Sequence, residues 1–133
     1  MISNKSFFNN NSRELPVDNF IENVLYSKKF GYYSSNIPFG KTGDFVTAPG
    51  ISNLFSEIIA IWLISTWNTL GKPKKFNIVE LGPGNGSLTK ILLKTFQQFP
   101  KFNKAVNIFL YEKSDLLKNL QKKTLNNSRV KWI

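Results

Sequence analysis

Residues 78–88 (IVELGPGNGSL) constrain the fold of this chain more than any other segment, because three glycines follow an apolar run at alternate positions. Gly82, Gly84 and Gly86 carry no Cβ, so the backbone can adopt positive φ and a ligand can approach it closely. The apolar run before them is typical of a strand buried on both faces of a parallel sheet. Apolar residues recur at helical spacing after them, and Ser87 is predicted to cap that helix. This order predicts the first unit of a nucleotide-binding α/β fold.

The spacing of the glycines bears on which nucleotide the turn would bind. The dinucleotide fingerprint is G-x-G-x-x-G, whereas this chain has G-x-G-x-G and lacks a phosphate-binding loop ending in Gly-Lys-Ser/Thr. Glu80 lies two residues before the first glycine. A carboxylate beside the turn suits a positively charged ligand group better than a phosphate. A tight turn that binds no ligand is the alternative interpretation.

A second apolar run, residues 106–111, ends at Glu112. A carboxylate at the end of the second strand of such a unit can accept hydrogen bonds from both hydroxyls of a ribose. Glu112 follows Gly82 by 30 residues, more than the roughly 20 typical of the dinucleotide fold. A loop at residues 100–104 is expected to absorb part of the excess. The wider gap disfavours an NAD-dependent oxidoreductase, and an exposed surface glutamate is the alternative interpretation of Glu112.

Composition excludes several kinds of chemistry. The chain has no cysteine and no histidine, so disulfides, thiol nucleophiles, zinc catalysis and Ser-His-Asp chemistry are excluded within it, and no metal site is predicted. A net charge of +10 would suit nucleic acid. However, 16 of the 18 basic residues are lysines scattered along the chain. A solvated basic surface is therefore favoured over nucleic-acid binding.

The chain divides into three predicted regions. Residues 1–15 are polar and predicted to be a disordered N-terminus. Residues 16–72 form a helical N-terminal extension, in which a glycine- and aromatic-rich loop at 31–49 separates a helix that begins at Pro16 from a helix at about 51–70. Residues 73–133 form the nucleotide fold.

Two of the helices have features that predict their environment. The middle of the second helix, residues 58–64, is apolar all round. It is too short to span a bilayer, so it is predicted to be buried against the sheet rather than to anchor in a membrane. A last helix at about 114–125 is predicted to begin with Ser114 as its cap, and residues 130–133 begin a third strand.

Two motifs resemble those of known methyltransferases. Residues 79–86 (VELGPGNG) resemble the first motif of class I S-adenosylmethionine-dependent methyltransferases. Residues 39–49 (FGKTGDFVTAP), with residues 51–57 and the Gly-Tyr-Tyr at 31–33, resemble the MidA family. The mitochondrial members of that family are protein arginine methyltransferases that assist assembly of respiratory complex I. The resemblance extends from about Pro16 to the end of the chain.

The resemblance implies a Rossmann-like class I methyltransferase fold, S-adenosyl-L-methionine as cofactor, and a protein substrate, for which a subunit of complex I is the family's example. The cofactor-binding residues that it implies lie in the loop before the second helix, at the glycine turn and at the end of the second strand: Asp44, Thr47, Glu80, Gly82, Pro83, Gly84, Gly86 and Glu112. The glycines would lie against the methionine part of the cofactor. Glu80 would meet its ammonium group, Glu112 would hold the ribose, and the loop residues would close over it. No catalytic residue is assigned.

This chain departs from the family pattern in two residues and in length. Gly50 stands where family members usually carry glutamate, and Asn85 stands where they usually carry arginine. A class I sheet has seven strands, and only three are visible here. The chain is therefore expected to be an N-terminal portion, truncated after the third strand and inactive alone, with a complete small βαβ protein as the alternative.

These departures leave a second hypothesis about function, a non-catalytic remnant of the family that binds a partner. The expected location follows from the family resemblance: cytoplasmic in a bacterium and mitochondrial in a eukaryote.

Overall fold

The computed structural model describes residues 15–40 and 43–133. Apart from Leu15, the predicted disordered segment 1–15 lies outside the described residues. Lys41 and Thr42 of the 39–49 motif also lie outside them.

The centre of the fold is a parallel sheet of three strands in the spatial order β1 (Phe76–Leu81), β2 (Val106–Tyr111) and β3 (Val130–Trp132). The three predicted strands are thereby confirmed. Leu81 pairs with Tyr111 at the end of the β1–β2 ladder, and the Gly82 N–H donates to the Tyr111 carbonyl at 3.0 Å. The carboxyl ends of β1 and β2 therefore lie side by side, which is the edge where open α/β sheets bind ligands.

Seven helices accompany the sheet in the described part of the chain: α1 (Val17–Tyr26), α2 (Tyr32–Ser35), α3 (Ala48–Ile51), α4 (Asn53–Thr69), α5 (Ser87–Phe96), α6 (Pro100–Ala105) and α7 (Asp115–Thr124). The helices expected from Pro16, within 51–70, after the glycine turn and at 114–125 are confirmed. The loop expected at 100–104 is wrong, because α6 forms there. Pro100 suits the first turn of a helix, and burial of Phe102 and Ala105 holds α6 on the core.

The caps of α5 and α7 differ in how well they were predicted. Ser114 caps α7 as predicted, since its Oγ accepts from the Leu117 N–H at 3.2 Å. The predicted cap Ser87 is wrong. Gly86 is the N-cap of α5 with φ 79°, and Ser87 is the first helical residue. The side chain of Asn85 makes the local contact instead, because its Oδ1 accepts from the Ser87 N–H at 3.1 Å.

One face of the sheet carries the core. Strand residues such as Ile108 and Leu110 are fully buried there with Phe96 of α5 and Phe102 of α6. Phe102 packs edge-on against Phe96, with ring centroids 4.7 Å apart. A face that collects large aromatic rings in this way buries much of the apolar surface that stabilises the fold.

The helical extension shares this core. The Trp67 ring of α4 packs on Phe102 at 5.4 Å, and its Nε1 donates to the Pro73 carbonyl at 2.9 Å. Gly71 and Lys72 have φ of 77° and 59° and turn the chain from α4 towards β1. The boundary proposed between residues 16–72 and 73–133 falls at this turn and remains a proposal.

The opposite face of the sheet is open among the described residues. Side chains of β1 alternate, and Val79 and Leu81 are 56% and 75% exposed. The prediction that β1 is buried on both faces is therefore wrong for this structure. The sequence shows which side chains are apolar, but it does not show whether a layer of helices covers them on that face of the sheet.

Helix α4 is likewise buried on one side only. Ser56, Ala60, Ile64 and Trp67 are its buried residues, whereas apolar side chains on its other side, Ile58 and Trp62 among them, are exposed. The predicted burial of this helix holds for one side, which joins the core, and the apolar side chains of its other side are uncovered among the described residues. No helix within the described ranges is long and apolar enough to cross a bilayer.

Candidate cofactor site

The three glycines of the turn share a backbone conformation but have different surroundings. Gly82, Gly84 and Gly86 have φ of 66°, 58° and 79°, in the left-handed region. A Cβ built on Gly82 meets nothing within 4 Å, whereas one on Gly84 meets the Phe39 ring at 3.3 Å. A Cβ on Gly86 meets the Leu125 side chain at 3.1 Å. Gly82 is thus exposed at the candidate site, Gly84 is partly exposed beneath the Phe39 ring, and Gly86 permits close packing under the turn.

Two cavities meet over this exposed backbone. The first has a volume of about 140 Å³. Its lining includes five of the eight residues predicted to bind the cofactor: Thr47, Glu80, Gly82, Pro83 and Gly84. The second has a volume of about 130 Å³ and is lined by Glu112 with aromatic and apolar side chains. Gly82, Gly84 and Phe39 line both, so the two cavities are adjacent, and together they are called the groove below.

Glu80 lies partly buried in the first cavity. The Thr89 hydroxyl of α5 donates a hydrogen bond to Glu80 Oε2. Burial raises the pKa of the Glu80 carboxyl above its usual range, and the Thr89 hydrogen bond partly opposes that rise. A carboxylate with little access to water interacts more strongly with a cation than one on the surface.

Replacing Thr89 with valine is expected to raise the pKa of Glu80 further, because valine keeps the shape of threonine but cannot donate to the carboxylate. When the pKa of a carboxyl is higher in the folded than in the unfolded state, the protein loses stability as pH rises through the folded-state pKa. The variant should therefore be less stable than the wild type at neutral pH. The part of this difference that comes from charge should vanish below the unfolded-state pKa. Carbon-detected NMR titration of Glu80 measures the shift, and identical pKa values in both proteins would contradict the hydrogen bond.

Glu112 directly follows β2 and is only 7% exposed. Its Oε1 accepts from the Ser114 N–H at 2.9 Å, and its Oε2 accepts from Gln121 Nε2 at 2.9 Å. The interpretation of Glu112 as an exposed surface glutamate is therefore wrong. Each carboxylate oxygen can accept two hydrogen bonds, so both oxygens keep capacity towards the second cavity.

The two residues predicted in the 39–49 loop do not lie together. Thr47 lines the first cavity. Asp44 is exposed and accepts a hydrogen bond from the Tyr32 hydroxyl, which raises the pKa of Tyr32 to about 12. Asp44 is not in the lining of either cavity, so its contact with the cofactor remains a prediction. Gly86 is also outside both linings.

Several residues of the site were not identified from the sequence. Phe39 and Tyr33 stack nearly parallel, with centroids 6.3 Å apart and planes 9° apart, and both line the second cavity with Tyr26. Their aromatic character was visible, but nothing in the spacing indicated which backbone they would cover. Gln121 had one usable signal: it is a polar residue four positions after Leu117 on the buried side of α7.

Comparisons with known proteins place these features in a family. Residues 58–133 match the family described as "Putative S-adenosyl-L-methionine-dependent methyltransferase". The chain is 37% identical over 118 residues to human protein arginine methyltransferase NDUFAF7, mitochondrial. It is 39% identical over 107 residues to the homolog from Drosophila melanogaster. These alignments cover 87% and 80% of this chain but 27% and 24% of the relatives. The chain thus spans about a quarter of the length of the curated relatives it matches.

Solved structures agree with the predicted fold. One is described as a "likely methyl transferase" from Burkholderia thailandensis bound to S-adenosyl-homocysteine, with a TM-score of 0.71 and 27% identity. The match covers 90% of this chain and 32% of the chain in that structure. A second structure, of an uncharacterized protein from the same organism, has a TM-score of 0.66 and 26% identity. This match covers 90% of this chain and 30% of the chain in that structure.

The predicted Rossmann-like α/β fold and the family's cofactor are confirmed. The chain belongs to the MidA family of S-adenosyl-L-methionine-dependent methyltransferases, as its motifs at 39–49 and 79–86 predicted.

Proposed function

We propose that this chain forms the S-adenosyl-L-methionine-binding part of a protein methyltransferase. The observation that carries the proposal is the convergence of two carboxylates, Glu80 and Glu112, on the exposed backbone of Gly82 and Gly84. Family membership supports the same cofactor. Sites at the carboxyl ends of parallel strands are where folds of this kind bind nucleotides.

The two cavities suit the two ends of this cofactor. Glu80 would accept from the cofactor's ammonium group, directly or through water. Glu112, held by the Ser114 N–H and by Gln121, would accept from the ribose hydroxyls with its remaining lone pairs. The apolar wall that Tyr26, Tyr33 and Leu117 contribute to the second cavity suits a flat base.

Chemistry at such a site asks little of acid–base groups. S-adenosylmethionine, when bound, supplies a methyl group attached to a positively charged sulfonium sulfur, which leaves as a neutral thioether and needs no proton. The chain's task is therefore to hold the cofactor in one orientation and to exclude water from its charged ends. A ligand that reaches both carboxylates crosses Gly82 and Gly84, so the Phe39 ring must move aside from Gly84.

The proposed methyl acceptor is an arginine of a protein, and a subunit of respiratory complex I is the acceptor that the family resemblance suggests. The support is that relatives from several vertebrates and a fly are named protein arginine methyltransferases. Those relatives are named mitochondrial, so a mitochondrial location is proposed for a eukaryotic source and a cytoplasmic one for a bacterial source. Nucleic acid is not proposed as a partner.

A non-catalytic, partner-binding role is the second candidate, and Gly50 favours it. A Cβ on Gly50 would meet only Thr47 Oγ1, at 3.4 Å. Packing in this structure therefore does not require glycine where family members usually carry glutamate. Methyl transfer to an arginine peptide by a longer chain containing these residues would exclude this candidate.

Calorimetry tests the proposed cofactor. Titration with S-adenosylhomocysteine is expected to release or absorb heat of binding, because it carries both the ammonium group and the ribose. Adenosine, which lacks the amino-acid end facing Glu80, should bind more weakly, and NADH should not bind comparably. Binding of NADH with no response to S-adenosylhomocysteine would overturn the proposal.

A further inference from the structure

Gln121 joins three separate segments of the chain: the glycine turn, the end of β2, and β3. Its Nε2 donates to the Gly84 carbonyl at 2.7 Å and to Glu112 Oε2 at 2.9 Å. Its Oε1 accepts from Trp132 Nε1 at 2.9 Å. The residue is 0% exposed. Both N–H groups of its amide and its amide oxygen therefore find their partners inside the protein.

We propose that Gln121 is a positioning residue of the cofactor site, which fixes the Glu112 carboxylate and the Gly84 carbonyl in the arrangement that receives the cofactor. This inference rests on the proposed function. Gln121 is not in the lining of either cavity, so it acts through Glu112 and the glycine turn rather than by contact with the ligand.

The chemistry of the three partners explains why this residue is a glutamine. A carbonyl and a carboxylate only accept hydrogen bonds, whereas the indole N–H of Trp132 only donates. A primary amide supplies two donors and one acceptor at a single position. An ionised glutamate would offer no donor, a lysine no acceptor, and a methionine essentially neither. Because an unsatisfied buried polar group is costly, each partner depends on the amide.

The two hydrogen bonds to Glu112 come from different directions. Ser114 N–H holds Oε1 and Gln121 holds Oε2, so rotation of the carboxylate about its last bond would break both. Gly86 makes room for this arrangement, since a Cβ there would meet Leu125 at 3.1 Å and Gln121 Cγ at 3.6 Å. The third glycine of the turn therefore allows α7 to approach the first two.

Gln121→Glu provides a test that depends on pH. At about pH 8 the new carboxylate faces Glu112 and the Gly84 carbonyl, so affinity for S-adenosylhomocysteine should fall about tenfold or more. At about pH 5 a proton on the new carboxyl restores a donor to Glu112 but none to the Gly84 carbonyl, so the affinity relative to the wild type should recover in part. Each value is normalised to the wild type at the same pH, and circular dichroism confirms folding.

Other ionisable groups surround this network. Tyr26 and Tyr33 line the cavity with Glu112, Lys113 follows it in sequence, and Lys122 lies over the Trp132 ring. Burial raises the pKa of Tyr26, and the hydrogen bond with Glu22 raises the pKa of Lys113, so neither group changes its charge within the window of the test. Glu80 is present in both proteins, so the normalisation removes its contribution.

Trp132→Phe is the matched control. It removes the donor to Gln121 Oε1 and leaves both contacts to the site, so affinity should stay within about twofold of the wild type. It also identifies the Trp132 indole resonance among those of the chain's three tryptophans. In the wild type this resonance should shift when S-adenosylhomocysteine is added. The indole resonance of Trp67, which donates to the Pro73 carbonyl, should not.

The outcomes separate the two proposals. No binding of S-adenosylhomocysteine by the wild type would overturn the proposed function. Binding by the wild type with unchanged affinity in Gln121→Glu at about pH 8 would overturn the positioning role alone, as would an equal loss in Trp132→Phe. If Gln121→Glu does not fold, the Trp132 resonance decides: a shift on ligand addition supports the role, and no shift contradicts it.

Discussion

Replacing Gly86 with valine is expected to lower the free energy of unfolding by roughly 3 kcal/mol. A φ of 79° is unfavourable for any residue with a Cβ and most unfavourable for a β-branched one. The new side chain would also collide with Leu125, since even a Cβ would lie 3.1 Å from it. Overpacking of a buried site adds to the backbone cost. Urea unfolding followed by circular dichroism measures the change.

Gly82→Val is the matched control, because it has a similar φ of 66° but an open environment. Only the backbone cost applies, so the expected loss of stability is about 1–2 kcal/mol. The valine side chain would instead project into the groove, and binding of S-adenosylhomocysteine should be lost. Equal losses of stability in the two variants would contradict the assignment of Gly86 to packing and of Gly82 to the ligand.

Glu112→Ala is expected to lower the free energy of unfolding by about 2–4 kcal/mol. The substitution leaves two buried donors, the Ser114 N–H and Gln121 Nε2, without their acceptor. The burial of Glu112 is the reason that its replacement should affect folding as well as binding. Affinity for S-adenosylhomocysteine should also fall about tenfold or more, because the charge-assisted contact to the ribose is removed.

Glu112→Gln separates the two effects. The amide oxygen can still accept one hydrogen bond, but its NH2 group would face the other donor. Stability should therefore lie between those of the wild type and the alanine variant, while the charge available to the ribose is lost. Wild-type stability in Glu112→Ala would mean that the buried network around Glu112 does not form.

The two central strands and the two carboxylates at their ends could be predicted from the sequence, because they depend on the pattern of residues close together in the chain. The apolar run before Gly82 and the one before Glu112 predicted two parallel strands. Parallel pairing then places Glu80 and Glu112 at the same sheet edge, as the register from Phe76 opposite Val106 shows. The local pattern is enough to place the two carboxylates together. Once each strand is recognised, the inference requires only that the two strands run in the same direction.

The parts that could not be predicted depend on the exact backbone path of a turn and on which side chains and layers pack together. Ser87 and Asn85 are two residues apart, and only the observed turn shows which of them makes the contact at the start of α5. The burial of Glu112 requires Gln121, nine residues later, to face it. Exposure of Val79 and Leu81 depends on whether a second layer covers the sheet, which their apolar character does not specify.

The most direct test of the central claim is a crystal structure of the chain with S-adenosylhomocysteine. Ligand density is expected across Gly82 and Gly84, with the ribose hydroxyls within hydrogen-bonding distance of Glu112. The amino group of the ligand should lie on the Glu80 side, and the Phe39 ring should be displaced from Gly84. Density at any other surface, with Phe39 still packed on Gly84 and Glu112 bonded only to Ser114 and Gln121, would contradict it.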